Sequence, residues 1–116
     1  MSGSMETQIA TARRFGARPQ LPQPDEKAGV ATNVKHERPI NGLRHPPTPG
    51  TSGWFLWAGG EPSSDPDYFV PLHIAHLESW CPQVVPYLGL PPGWRFLIDE
   101  GYEDVWYDAS LLVQDH

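Results

Sequence analysis

Proline is the residue that most constrains this chain. Fourteen of its 116 residues are proline. Each removes a backbone donor and fixes φ, so helices and central strands must fit between the prolines or begin on one. Regular structure is therefore expected in short pieces. Glu6 to Ala17 lacks proline and carries Ile9, Ala10, Ala12 and Phe15, which reads as a short amphipathic helix ending near Gly16. A proline-rich connector follows from Pro19 to Asp25. Lys27 to Val34 alternates loosely and reads as a strand, and Ile40 to Leu43 as a second, short one within a proline-rich loop.

The glycine-bounded aromatic run Gly53 to Gly59 is the clearest buried strand. Beyond the polar turn Glu61 to Asp67, a helix is expected to start at Asp65-Pro66 or between Tyr68 and Pro71. Along it Val70, Ile74, Leu77 and Cys81 form one stripe. Pro82 ends that helix and opens another to Leu88. Trp94 to Asp99 and Tyr102 to Tyr107 read as a hairpin turning at Asp99-Glu100-Gly101, and a last short helix or tail begins near Asp108. Without regular βαβ alternation the class is α+β, a single small domain with a mostly antiparallel sheet and two to four short helices.

A chain of this length has room for one domain, and buries about 65% of the surface that its unfolded form exposes. Residues 1–4 precede a second methionine, Met5, and read as a remnant of expression, which leaves residues 5–116 as the domain. No apolar run approaches the ~18 residues that a membrane span needs, and the N-terminus has no signal-peptide pattern. The single cysteine, Cys81, allows no internal disulfide, as suits the cytoplasm. Charge is unevenly spread. Residues 1–50 hold seven Lys/Arg against four Asp/Glu, whereas residues 51–116 hold Arg95 alone against ten carboxylates. So acidic a C-terminal half repels phosphate backbones, and a basic protein suits it better than nucleic acid.

Residues that could carry chemistry are few. His73, His76 and Cys81 suggest a Cys–His pair, but on one helix positions 73 and 81 lie roughly 12 Å apart along the axis, too far for a thiol and its base. Cys81 also falls on the apolar stripe. His73 and His76 have helical spacing for a metal, without evident further ligands. Carboxylate pairs in turns act more often as caps than as catalytic acids, and neither a phosphate-binding glycine loop nor a serine elbow is present. An enzyme is not indicated, and neither cofactor nor metal is called for. Two alternatives stay open: a small hydrolase or metal-dependent enzyme using His73, His76 or Cys81, and a ligand-sensing module whose pocket is walled by the tryptophans.

The C-terminal hairpin combines acid with aromatics. Alternation places Glu103, Val105 and Tyr107 on one face, and Tyr102, Asp104, Trp106 and Asp108 on the other. The second face is costly to bury, and tyrosine and tryptophan anchor many protein interfaces. The alternative is that Trp106 packs inward with the carboxylates at its rim. The candidate contacts are Glu100, Tyr102, Glu103, Asp104, Trp106 and Asp108, with Glu61, Asp65 and Asp67 as a second patch.

Four strings carry a family likeness: PINGLRHPP (Pro39 to Pro47), TSGWFLWAGGE (Thr51 to Glu61), DPDYFVPLHIAHLESWCPQVVPYLGLPPGWRFLID (Asp65 to Asp99) and YEDVWYD (Tyr102 to Asp108). Together they resemble the immunity protein 33 family, small bacterial proteins encoded beside polymorphic or contact-delivered toxins. The likeness runs from about Lys27 to Leu112. It implies a non-catalytic protein that binds a cognate toxin in the producing cell and blocks it. It brings no binding residues with it. The acidic bias is what such an inhibitor would set against a toxin that is basic at its active site.

Overall fold

The computed structural model describes residues 3–113; the segment from Gln114 onward, with His116, and residues 1–2 lie outside it. Helix α1 spans Gly3–Arg14 and ends with two backbone bonds, Gly16 N–H to the Arg13 carbonyl at 3.0 Å and Ala17 N–H to Ala12 at 2.9 Å. This is the glycine-terminated ending expected near Gly16. Six strands follow: β1 Lys27–Ala31, β2 Ile40–Arg44, β3 Thr51–Ala58, β4 Phe69–His73, β5 Trp94–Asp99 and β6 Tyr102–Tyr107. One helical turn, α2, covers Leu77–Trp80. Short 3₁₀ turns occupy Thr32–Lys35, Ile74–His76, Pro82–Tyr87 and Ala109–Leu112.

The strands form one sheet in the order β4-β1-β3-β2-β5-β6. Only β1 and β3 run parallel; every other neighbouring pair is antiparallel. The class is α+β, as the mixture of elements implies.

Two expectations need correction. The segment before Cys81 is not one helix, because Phe69–His73 forms edge strand β4 and only Leu77–Trp80 is α-helical. Aromatic and β-branched residues at 68–70 favour a strand, and Pro71 is tolerated because an edge strand leaves one side of its backbone unpaired. Ile74, Leu77 and Cys81 are nevertheless buried, as the stripe predicts. The first strand also stops at Ala31 rather than Val34, where the chain turns into a 3₁₀ turn that buries Val34.

Successive strands align two adjacent rows of residues, one on each face. Val70, Val30, Leu56, Gly42, Phe96 and Val105 form the first row, from β4 to β6. Its members Val30, Leu56 and Phe96 belong to the core, with Val105 packed against it, in one cluster with Ala12 of α1, Leu77 of α2, and Val84, Leu88 and Leu90. Gly42 lets the Phe96 ring lie across β2: a Cβ there would come within 2.3 Å of it. Arg44 is buried on this side and forms no direct ion pair among the described residues. Its Nε donates to the Ser52 carbonyl at 2.8 Å, and its Nη1 to Gln20 at 2.6 Å and Leu90 at 2.8 Å. These carbonyls tie the proline-rich connector and the 88–90 turn to the sheet. Burial lowers the guanidinium pKa to about 10.

The second row, Pro71, Gly29, Phe55, Leu43, Arg95 and Trp106, lies on the opposite face. All of its members keep some exposure. The core elements α1, α2 and 82–87 pack on the first face, so the second is the sheet's open side.

Candidate functional site

The register of β6 decides where each candidate side chain points. Ile98, Phe96 and Trp94 pair with Glu103, Val105 and Tyr107, which puts these three on the covered face. Asp99, Leu97 and Arg95 pair with Tyr102, Asp104 and Trp106, which puts those on the open face. Two neighbouring carboxylates therefore have opposite surroundings.

Glu103 is held within the chain. Arg14 of α1 donates to both of its oxygens, at 2.9 and 2.8 Å, and the Tyr87 hydroxyl donates to one of them. The Arg14 hydrogen bonds, then that of Tyr87, lower the carboxyl pKa to about 2. The Arg14 pKa is raised in turn by the Glu103 hydrogen bonds. Burial first, and the carboxylate second, push the Tyr87 hydroxyl upward. Tyr87 also stacks on Phe96, with ring centroids 4.9 Å apart. The cluster fastens α1 and the 82–87 turn to β6.

The Asp104 carboxylate makes no hydrogen bond or ion pair among the described residues, and the residue is exposed. Tyr102 beside it is 55% exposed. Trp106 is half-buried under the Arg95 guanidinium, which stands 5.4 Å from the ring centroid. Arg95 reaches Asp108 at 3.2 Å, and the Asp108 carboxylate also accepts from Ser110 Oγ at 2.6 Å and Ser110 N–H at 3.1 Å, capping the last 3₁₀ turn. The Ser110 bonds, and then Arg95, lower its pKa. Trp106 is neither free nor sealed inside. Of the first patch, Glu100, Tyr102, Asp104 and Trp106 share solvent access, whereas Glu103 and Asp108 are engaged at home.

The second patch lies at the same end of the sheet as the β5–β6 turn. Val30 pairs with Leu56, Ala31 with Phe69, Ile40 with Ala58 and with Ile98, so the β3–β4 loop and the turn at Glu100-Gly101 project from one end. Glu61, Asp65 and Asp67 are exposed there, and Asp65 Oδ1 accepts from the Asp67 N–H at 2.9 Å. Between the two stretches Lys35, His36 and Arg38 share a concavity of about 520 Å³ with Asp99 and Glu100. The acidic end is thus interrupted by cations.

Sequence reasoning missed the open face around Phe55. Phe55 and Phe69 meet edge to face at 5.2 Å, and with Gly29, Pro46 and Pro71 they wall an apolar cleft of about 550 Å³. Of the tryptophans only Trp54 touches this cleft, and its side chain belongs to the core. The signal was the alternation of Phe55 and Trp57 with Trp54 and Leu56. Because both sets are apolar, it did not reveal which side stayed open.

His73 ends β4, His76 ends the following 3₁₀ turn, and their exposed rings stand 5.6 Å apart. Cys81 is 1% exposed, and burial raises its thiol pKa, the reverse of what activates a nucleophile. No group of three or more metal-ligating side chains occurs among the described residues. No described helix is long and apolar enough to cross a membrane.

A family profile, the Imm33-like domain, matches residues 7–108. The chain belongs to the Imm33-like family. The match takes in all six strands and the Arg14–Glu103 pair. An immunity-type Imm33-like protein is in general a non-catalytic partner of a toxin. No curated protein and no solved structure matches the chain.

Proposed function

We propose that this Imm33-like protein acts in the cytoplasm of the producing cell, where it binds a cognate toxin and blocks a basic active site. The contact is made by the open face at β6: Tyr102, Asp104 and Trp106, with Glu100 at the turn. Glu103 contributes from the covered face by anchoring β6 to α1, and Asp108 from the open face by holding Arg95 over Trp106. Glu61, Asp65 and Asp67 form a second contact at the same end of the sheet. The observation that carries this reading is the exposed, unpaired carboxylate of Asp104 between two partly exposed rings. Carboxylates of this kind speed encounter with a basic partner, while aromatic anchors supply affinity.

Co-expression with the product of the adjacent reading frame is the test. The expected result is relief of that product's toxicity and a complex that survives purification. Equal killing with and without this chain, and no co-purification, would end the proposal.

A second reading rests on the cleft at Phe55 and Phe69, whose volume falls in the range of small-molecule sites. It predicts that an apolar ligand raises the thermal midpoint and that Phe55→Ala abolishes the rise. An unchanged midpoint across an apolar ligand panel would remove it.

A further inference from the structure

The two edges of the sheet differ in a way that toxin binding does not require. Edge strand β4 is five residues long and carries Pro71, which has no N–H to offer. Edge strand β6 is six residues long and has no proline. Its pairing with β5 follows from two facts: Asp99 and Tyr102 flank a two-residue turn, and Asp108 N–H donates to the Gly93 carbonyl at 2.6 Å. In an antiparallel ladder, bonded and non-bonded pairs alternate. Tyr102, Asp104 and Trp106 therefore spend their backbone groups on β5. The N–H and C=O groups of Glu103, Val105 and Tyr107 point outward along an edge that has no strand partner among the described residues. Such an edge is a template for another strand, and natural proteins usually block it.

The sequence of β6 favours one occupant, a second copy of itself. A twofold axis must relate residues with the same backbone orientation, so the pairing can be centred on residue 103, 104, 105 or 106. Centred on 103 it opposes Glu103 to Glu103. Centred on 104 it opposes Asp104 to Asp104, and centred on 106 it opposes Asp104 to Asp108. Centring on Val105 sets no carboxylate directly opposite another. It sets Val105 against Val105, Asp104 against Trp106, Glu103 against Tyr107 and Tyr102 against Asp108, and it bonds all three outward residues. It also covers rings that are now 55% exposed at Tyr102 and 50% exposed at Tyr107.

We propose that two copies pair through β6 as an antiparallel twofold dimer centred on Val105, joining their sheets edge to edge. The dimer would set Asp104 of one copy beside Trp106 of the other on a shared open face. It does not depend on the toxin-binding proposal, and its test contains no toxin.

The test is sedimentation of the purified full chain over a range of concentrations, with hydrogen exchange at Glu103, Val105 and Tyr107. A dimer that dissociates on dilution is expected, with those three amides protected only at high concentration. Trp106→Asp would oppose two carboxylates twice over by symmetry, and should raise the dissociation constant about tenfold or more. The exchanged pair Asp104→Trp with Trp106→Asp restores acid against ring and should recover the dimer, which separates register from a folding defect. A chain that stays monomeric up to about 1 mM overturns the proposal. So does a dimer indifferent to Trp106→Asp, or unprotected Val105 and Tyr107 amides in a dimer.

Discussion

The adjacent rows that cross this sheet, Val70-Val30-Leu56-Gly42-Phe96-Val105 and Pro71-Gly29-Phe55-Leu43-Arg95-Trp106, have similar apolar content and different roles. In the first, Val30, Leu56 and Phe96 are sealed under α1 and the 82–90 segment. In the second every residue keeps some contact with solvent, and its β6 end carries the only cation of the acidic half, Arg95, set against Trp106. The same contrast recurs within β6, where Glu103 is fixed by Arg14 and Tyr87 and Asp104 faces water. Hydrophobicity alone does not tell which side of such a sheet holds the molecule together. The side on which helices return does.

If the two faces differ in this way, equivalent truncations should differ in cost. Trp54→Ala empties a fully buried site whose indole donates to the Leu88 carbonyl at 3.0 Å. It should lower stability by about 4 kcal/mol. Phe55→Ala, on the open side, should lose about 1–2 kcal/mol, because part of that ring is already hydrated. Chemical denaturation measures both, and equal losses would erase the distinction.

Glycine provides a second comparison. A Cβ on Gly42 would strike the enclosed Phe96 ring at 2.3 Å, and one on Gly29 would strike the Phe55 ring at 2.7 Å. Phe96 has nowhere to move, whereas Phe55 can swing toward solvent. Gly42→Ala should therefore cost about 2–3 kcal/mol and Gly29→Ala about 1 kcal/mol or less. Thermal unfolding of the two variants would show the order.

The paired carboxylates sharpen the contrast further. Glu103→Gln should cost about 1 kcal/mol, a modest amount because its partner Arg14 is largely exposed. Asp104→Asn should leave stability unchanged. The Glu103 pKa is lowered when folded, from 4.5 to about 2. Its contribution is therefore complete above pH 4.5 and is lost as pH falls toward 2. Acid titration of stability should show that loss in the native chain and not in Glu103→Gln. The same slope in both would mean that the Arg14 pair contributes nothing.

Much of this architecture was legible in the residues. The glycine-bounded strand at Thr51–Ala58, the hairpin of β5 and β6 and the glycine at the end of α1 all follow from local chemistry. Edge strand β4 did not, because the spacing of Val70, Ile74, Leu77 and Cys81 fits a helix as well as a strand followed by turns. Strand pairing over long sequence separations, which decides between these, leaves no periodicity behind. The candidate site was legible in part. Alternation assigned Tyr102, Asp104 and Trp106 to one face, but the partners of Glu103 come from 89 residues upstream in Arg14 and 16 upstream in Tyr87. No local pattern could have revealed that pairing.

The most direct measurement is the affinity of the purified complex with the adjacent toxin, at low and moderate salt, for Asp104→Lys and for Glu103→Gln. Asp104→Lys should weaken binding about tenfold or more, chiefly through a slower on-rate and most visibly at low salt, while stability holds. Glu103→Gln should change affinity little. Unaltered toxin affinity in Asp104→Lys would contradict the account.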